Sequence, residues 1–131
     1  MKKERRREII DSLKGCEGLG DVDLDEYCQT LQNRGNSITK QQNFQKILKM
    51  CNALGNEERL KILGIIKEKE CCVCELEAAL NKSQSTISHH LRVLEKIGVI
   101  EGIRKGRFTH YAMRKEKFRN YMDLLQHFLE L

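Results

Sequence analysis

The chain has 131 residues, a formal net charge of +5, 40% hydrophobic and 33% charged residues, no proline and only 5% aromatic residues. That length has room for one modest domain of about 100 to 200 residues rather than two cores, and this composition favours helices over a β-sandwich. No apolar run approaches the roughly 18 residues a membrane-spanning helix needs, and no apolar segment follows the charged N-terminus as a secretory signal requires, so a cytoplasmic protein with no membrane partner is expected.

Residues 1–40 are polar and switch from a basic run (Lys2, Lys3, Arg5, Arg6, Arg7) to an acidic patch (Asp21, Asp23, Asp25, Glu26). They read as a partly flexible N-terminal arm with one marginal helix around 24–31, and residues 41–131 as the folded domain. From Phe44 the apolar residues Phe44, Ile47, Leu48, Cys51 and Leu54 recur on one helical face, which places Cys51 in packing. Gly55 ends that helix. Asn56 then caps a second, with Glu57 and Glu58 at its positive end and Leu60, Leu63 and Ile66 turned inward, Ile62 and Ile65 beside them. A short third helix over 74–80 buries Leu76, Ala79 and Leu80. Ser83 caps a fourth, in which Ile87, Leu91 and Leu94 form a core stripe and Gly98 supplies a left-handed stop. Residues 99–103 and 107–112 read as a two-stranded hairpin with Arg104-Lys105-Gly106 at its tip. In a closing helix Phe118, Tyr121, Met122, Leu125, Phe128 and Leu129 recur on a face wide enough to predict a dimer contact.

Two helices joined by a three-residue turn and followed by a basic hairpin have the pattern of a winged helix-turn-helix, whose second helix enters the DNA major groove. The fold class expected is therefore mainly α with a small β-hairpin, dimeric. With the core stripe inward, the fourth helix presents Gln84, Ser85, Ser88, His89 and Arg92, with Thr86 near its start. These are short hydrogen-bonding groups and a cation suited to base edges and phosphates. Arg104, Lys105 and Arg107 would meet phosphates or a minor groove. Residues 101–120 carry seven cations against two carboxylates, which concentrates the positive charge there. An ordinary solvated face is the bland alternative, and the capped turn before it and basic hairpin after it weigh for double-stranded DNA. His89 and His90 diverge by about 100° on a helix and cannot readily share one ion, so His90 reads as a packing histidine.

Three segments, 52–63 (NALGNEERLKIL), 72–76 (CVCEL) and 83–94 (SQSTISHHLRVL), resemble the ArsR/SmtB family of metal-responsive transcriptional repressors. The resemblance covers about residues 43–131 and implies a homodimeric winged-helix repressor that releases operator DNA when a metal or metalloid binds.

The six cysteines are Cys16, Cys28, Cys51, Cys71, Cys72 and Cys74, and a reducing cytosol disfavours three structural disulfides. Cys71, Cys72 and Cys74 put three soft donors within four residues. Such thiolates select Cd(II), Pb(II), Zn(II), Bi(III), As(III), Sb(III) or Cu(I) over hard cations. On an ideal helix Cys72 and Cys74 would lie about 200° apart, so their joint use requires an extended backbone where the third helix begins. A helix N-terminus also predicts lowered thiol pKa values. Core filling is the usual role of a lone cysteine, and structural zinc wants a second paired motif that is absent here.

The resemblance sharpens the ligand set without settling the ion. The family's arsenic pattern has a further cysteine where this chain has Glu77, whereas its cadmium and lead sensors recruit cysteines from an N-terminal arm, which here offers Cys16 and Cys28. A site of three or four sulfurs is expected, built on Cys72 and Cys74 and completed from Cys16, Cys28 and Cys71. The family's second site, on the closing helix, is matched only by His127 and Glu130, since Arg114 and Glu116 occupy the other positions. Two other readings stay open: a thiol redox regulator on the same fold, and a metal-carrying or interaction protein that does not bind DNA. No catalytic constellation or phosphate-binding loop points to an enzyme.

Overall fold

A computed structural model describes residues 1–131 as seven helices and three short strands. The chain divides into two compact units, 1–44 and 45–131. No helix is long and apolar enough to cross a membrane.

The first unit holds two helices where the sequence predicts one marginal helix. They are α1 (Lys3–Lys14) and α2 (Leu24–Thr39). Asp23 caps α2, its Oδ1 accepting from the N–H groups of Asp25 at 3.0 Å and Glu26 at 3.2 Å, and the two first-turn acids complement the helix dipole. Arg6 ties the pair together: its guanidinium donates to Asp25 Oδ1 and to the Asp25 carbonyl, each at 3.1 Å. Cys28 is the buried residue of α2, whereas Cys16 lies exposed just beyond α1.

The second unit begins within α3 (Phe44–Leu54) and continues through α4 (Glu57–Ile66), β1 (Cys71–Cys72), α5 (Val73–Leu80), α6 (Gln84–Lys96), β2 (Ile100–Lys105), β3 (Phe108–Met113) and α7 (Lys115–Leu129). The capping signals act where the sequence places them. Asn56 Oδ1 accepts from the Arg59 N–H at 3.1 Å, Ser83 Oγ accepts from the Thr86 N–H at 3.3 Å, and Gly98 adopts φ 80° after α6. The winged helix-turn-helix is present, with α5 and α6 as its helix pair and β2–β3 as its wing.

The wing differs from the predicted hairpin in two respects. Its sheet has three strands in the order β1-β3-β2, all antiparallel, with Cys71 opposite Tyr111 and Cys72 opposite His110. The cysteine segment is thus part of the wing sheet. The hairpin turn is Gly106-Arg107, with Gly106 at φ 63°. This is the glycine-first placement that type II′ turns favour, and it moves Arg104 and Lys105 from the tip into the end of β2.

One core joins the elements of this unit: Met50 from α3, Ile62, Leu63 and Ile66 from α4, Leu76 from α5, Ile87, Leu91 and Leu94 from α6, and Tyr121 from α7. Tyr121 Oη donates to the Ile97 carbonyl at 2.8 Å, which satisfies its hydroxyl within that core. Four predicted packing positions are corrected. Leu48 and Leu60 are 41% and 55% exposed, and Ala79 and Cys51 are also exposed. In α3 the buried stripe is Ile47, Met50 and Ala53, one residue around the helix from the stripe read off the sequence. On α7, Tyr121 is buried, while Met122 and Leu129 are 42% and 52% exposed.

Candidate metal and nucleic-acid sites

Cys72 is the N-cap of α5, with φ −83° and ψ 168°, and this extended conformation is the departure from helical geometry that joint use of Cys72 and Cys74 requires. The two Sγ atoms lie 2.7 Å apart. Local hydrogen bonding holds Cys72 in place. Glu75 Oε1 accepts from the Cys72 N–H at 3.1 Å, and the Cys72 sulfur faces the Glu75 N–H, in a capping box with sulfur where serine or threonine normally stands. The same backbone N–H holds the Glu75 carboxyl below the usual range.

The thiol acidity differs from the expectation. The hydrogen bond with the Cys74 sulfur, followed by burial, pushes the Cys72 thiol up, so the sulfur neighbour outweighs the helix N-terminus. Burial likewise pushes up the Cys71 thiol. Cys71 belongs to the hydrophobic core and its Sγ donates to the Lys69 carbonyl at 3.4 Å. It does not join the Cys72–Cys74 pair. Cys16 and Cys28 belong to the first unit. Within residues 45–131 no third cysteine, histidine or carboxylate completes a group of three around the pair.

Two soft sulfurs in contact suit a soft ion as a partial ligand set. A tetrahedral ion at about 2.3 Å from each sulfur sets the sulfurs about 3.8 Å apart, so accommodating it means opening the 2.7 Å pair by about 1 Å. The pair borders a cleft of about 370 Å³ that is also lined by Glu77, Gln84, Arg107 and Phe108. The thiols, the first residue of α6 and the tip of the wing therefore share one cavity.

Of the predicted DNA-facing residues on α6, Gln84, Ser85, His89 and Arg92 are exposed, whereas Thr86 and Ser88 are half-buried. Ser83 Oγ lies 3.2 Å from Ser85 Oγ and donates to Thr86 Oγ1 at 2.9 Å, so both hydroxyls also serve the helix cap. On the wing, Arg104 Nε donates to the Gly106 carbonyl at 2.9 Å, and Lys105 is paired with Glu70. That ion pair holds the Glu70 carboxyl below its ordinary range. Arg107 at the turn makes no such bond and is exposed.

His90 is buried, and its Nδ1 lies 3.1 Å from Arg59 Nη1. Because a guanidinium only donates, Nδ1 is the acceptor. Arg59 also donates from Nε to the Ala53 carbonyl at 2.5 Å and from Nη2 to the Asn52 carbonyl at 3.2 Å. One side chain thus fastens the end of α3 to the middle of α6. Sequence reading misses Glu70, Glu75 and Arg59 as site-positioning residues. Only Glu75 had a local signal, three residues after an N-cap; the others act on partners 35 and 31 residues away.

The comparisons agree with this architecture. A sequence model described as "Bacterial regulatory protein, arsR family" matches residues 56–101. The cadmium resistance transcriptional regulatory protein CadC of Listeria innocua is 37% identical over 78 residues, which cover 59% of this chain and 66% of that protein. Among solved structures, the transcriptional regulator HlyU from Vibrio vulnificus is 30% identical with a TM-score of 0.53, over 71% of this chain and 96% of that one. The homodimeric winged helix-turn-helix DNA-binding domain of Mb0332 from Mycobacterium bovis is 25% identical with a TM-score of 0.54, over 66% of this chain and 80% of that one. With its helix pair, wing and matched segment, the chain belongs to the arsR family of bacterial regulatory proteins.

Proposed function

We propose that this protein is a cytoplasmic transcriptional repressor that binds operator DNA as a homodimer and releases it when a soft metal or metalloid ion is held by thiolates. Cys72 and Cys74 are the primary ligands, with Cys16 and Cys28 as the further sulfur donors and Cys71, which would have to leave its core position, as their competitor. Gln84, Ser85, Thr86, Ser88, His89 and Arg92 read the major groove, and Arg104, Lys105 and Arg107 hold phosphates or a minor groove. The exposed Met122 and Leu129 on α7 are the dimer contact, a reading supported by the homodimeric Mb0332 domain.

One observation carries this reading: the contacting sulfurs border the same cleft as Gln84 and Arg107. Opening the sulfur pair acts at the junction of β1 and α5, and both adjoin the elements proposed to face DNA. The cadmium-resistance function named for the Listeria relative supports a soft effector. The test is to titrate reduced protein on promoter and random-sequence duplexes with As(III), Cd(II), Pb(II) and Zn(II), following ultraviolet thiolate-to-metal bands and DNA release in the same samples. Release in step with the bands is expected; bands without release refute the sensor reading.

The sulfur contact also favours a second reading, in which peroxide oxidises the two thiols to a disulfide and is itself reduced to two waters. Metal-driven release under anaerobic, reducing conditions rejects that alternative.

A further inference from the structure

A second cleft, of about 480 Å³, lies between the end of α3, the start of α4 and the C-terminal half of α6. Its charged lining is Lys49, Arg59 and Lys96, with no carboxylate, and Val93 and Ile97 form part of its apolar wall. Lys49 and Lys96 are exposed and make no ion pair or hydrogen bond within the protein. Arg59 is held rigidly, one N–H donating to each of the Ala53 carbonyl, the Asn52 carbonyl and His90 Nδ1. A guanidinium has five N–H groups, so two remain. Two free ammonium groups and a preset guanidinium with donors to spare form a receptor for a tetrahedral oxyanion.

The position of Lys96 identifies the source of that anion. Ser85, His89, Arg92 and Lys96 follow one another at offsets of four, seven and eleven on α6, so Lys96 continues the exposed face. Val93 and Ile97 flank that face on the cleft side. A helix lying in a major groove about 12 Å wide has a phosphate strand along each flank. We infer that this cleft is a seat for a DNA backbone phosphate, held by Lys49, Lys96 and the remaining N–H groups of Arg59. The inference rests on the DNA-binding reading above and extends the contact surface beyond the wing and the start of α6.

The test compares wild type with the Lys49→Gln/Lys96→Gln double variant on the promoter fragment and on a random-sequence duplex, between about 50 and 200 mM salt. Both lysines are exposed, and far-UV circular dichroism with a Lys49→Arg/Lys96→Arg control separates charge loss from misfolding. Each lost phosphate contact lowers the slope of log affinity against log salt by about 0.9. The Gln variant is therefore expected to lose about 0.9 in slope per bound protomer, for the one phosphate seated there, and to weaken both duplexes by the same factor, while the Arg control keeps the wild-type slope. An unchanged slope in the folded Gln variant overturns the inference. If that variant instead loses saturable calorimetric binding of inorganic phosphate measured without DNA, the cleft serves a free anion and not the DNA backbone. Wild-type protein that binds neither duplex in a salt-dependent way removes the DNA reading and this inference with it. Wild-type binding with an unaltered variant removes the inference alone.

Discussion

Cys72→Ser separates the role of the sulfur from the role of the helix cap. Cys72 stands at the N-cap of α5, its N–H donates to Glu75 Oε1 at 3.1 Å, and its sulfur faces the Glu75 N–H. Serine is among the best N-cap residues, contributing about 1 kcal/mol relative to a residue that cannot cap, and a Ser-x-x-Glu pattern completes the capping box. The buried hydroxyl therefore finds the Glu75 N–H as a partner, and the gain in capping offsets the packing lost with the larger sulfur. Stability is expected to stay within about 1 kcal/mol of wild type, with metal-free DNA affinity unchanged. Effector binding behaves otherwise. Four-ligand zinc sites have apparent binding free energies of about 10 to 16 kcal/mol, or about 3 kcal/mol per ligand. Removing one of the two contacting sulfurs should therefore weaken Cd(II) binding by about a hundredfold or more. The coupling to DNA, typically about 1 to 3 kcal/mol, should vanish at Cd(II) concentrations that saturate wild type. Urea melts, anaerobic ultraviolet titration with Cd(II) and fluorescence anisotropy on labelled promoter DNA measure the three quantities. A variant that releases DNA at the wild-type Cd(II) concentration refutes the assignment of the effector to this pair, and one that loses DNA affinity without metal refutes the cap argument.

Arg59→Ala removes three hydrogen bonds that span α3, α4 and α6. At about 1 kcal/mol each the expected loss is about 3 kcal/mol, read from urea melts at fixed protein concentration; a loss below about 1 kcal/mol would show that the contacts do not fasten α6. Burial, then the Arg59 guanidinium, holds the His90 imidazole below its ordinary range, with His89 and Lys82 acting the same way and Glu58 opposing them. The unfolded chain thus takes up a proton that the folded chain refuses. This contribution to stability is full above about pH 6.5 and falls as the pH drops through it, by at most about 1.4 kcal/mol per pH unit, and His90→Gln should flatten that stretch of the stability–pH curve. On the wing, Arg107→Gln is expected to reduce the salt slope of DNA binding by about 0.9. Lys105→Gln should reduce it less, because Lys105 is already engaged with Glu70; equal effects would contradict that division.

Local signals were legible and long-range ones were not. Asn56, Ser83 and Gly98 mark helix ends through bonds or dihedral angles within a few residues, so the helix pair could be read directly. Strand β1 could not be, since two cysteines carry no alternation and their partners, Tyr111 and His110, lie some forty positions on. Helix α1 was hidden by its charge: it buries no residue, and its polar links to α2 run from Arg6 to Asp25 and Gln29. The misplaced residues share one cause. In α3 and α4 the apolar side chains cover a wide arc, and periodicity alone does not choose between stripes one residue apart, so Met50 and Ile62 took the core while Cys51 and Leu60 faced outward. At the site, spacing exposed the need for an extended backbone at Cys72, but thiol acidity depended on the sulfur contact and burial, which are tertiary facts.

The placement of Cys72 bears on how a thiolate sensor can act at a distance within so small a unit. Cys72 ends β1 and caps α5, so it is covalently shared by the wing sheet and the helix pair. Along one route, β1 pairs with β3, β3 pairs with β2, and Glu70 immediately before β1 holds Lys105 near the wing tip. Along the other, α5 leads through a three-residue turn, with Asn81 in the left-handed region at φ 53°, into α6. The core anchors both helices through Leu76 and Ile87, so a shift of β1 against α5 is absorbed most cheaply by the two β1–β3 residue pairs and the Glu70–Lys105 contact. The two β1–β3 residue pairs are worth about 0.5 to 1.5 kcal/mol each, and together they span the roughly 1 to 3 kcal/mol of typical allosteric coupling. For the proposed sensor, a two-residue strand is therefore large enough to couple the sulfurs to the proposed DNA-facing surface and small enough to be released without unfolding the domain.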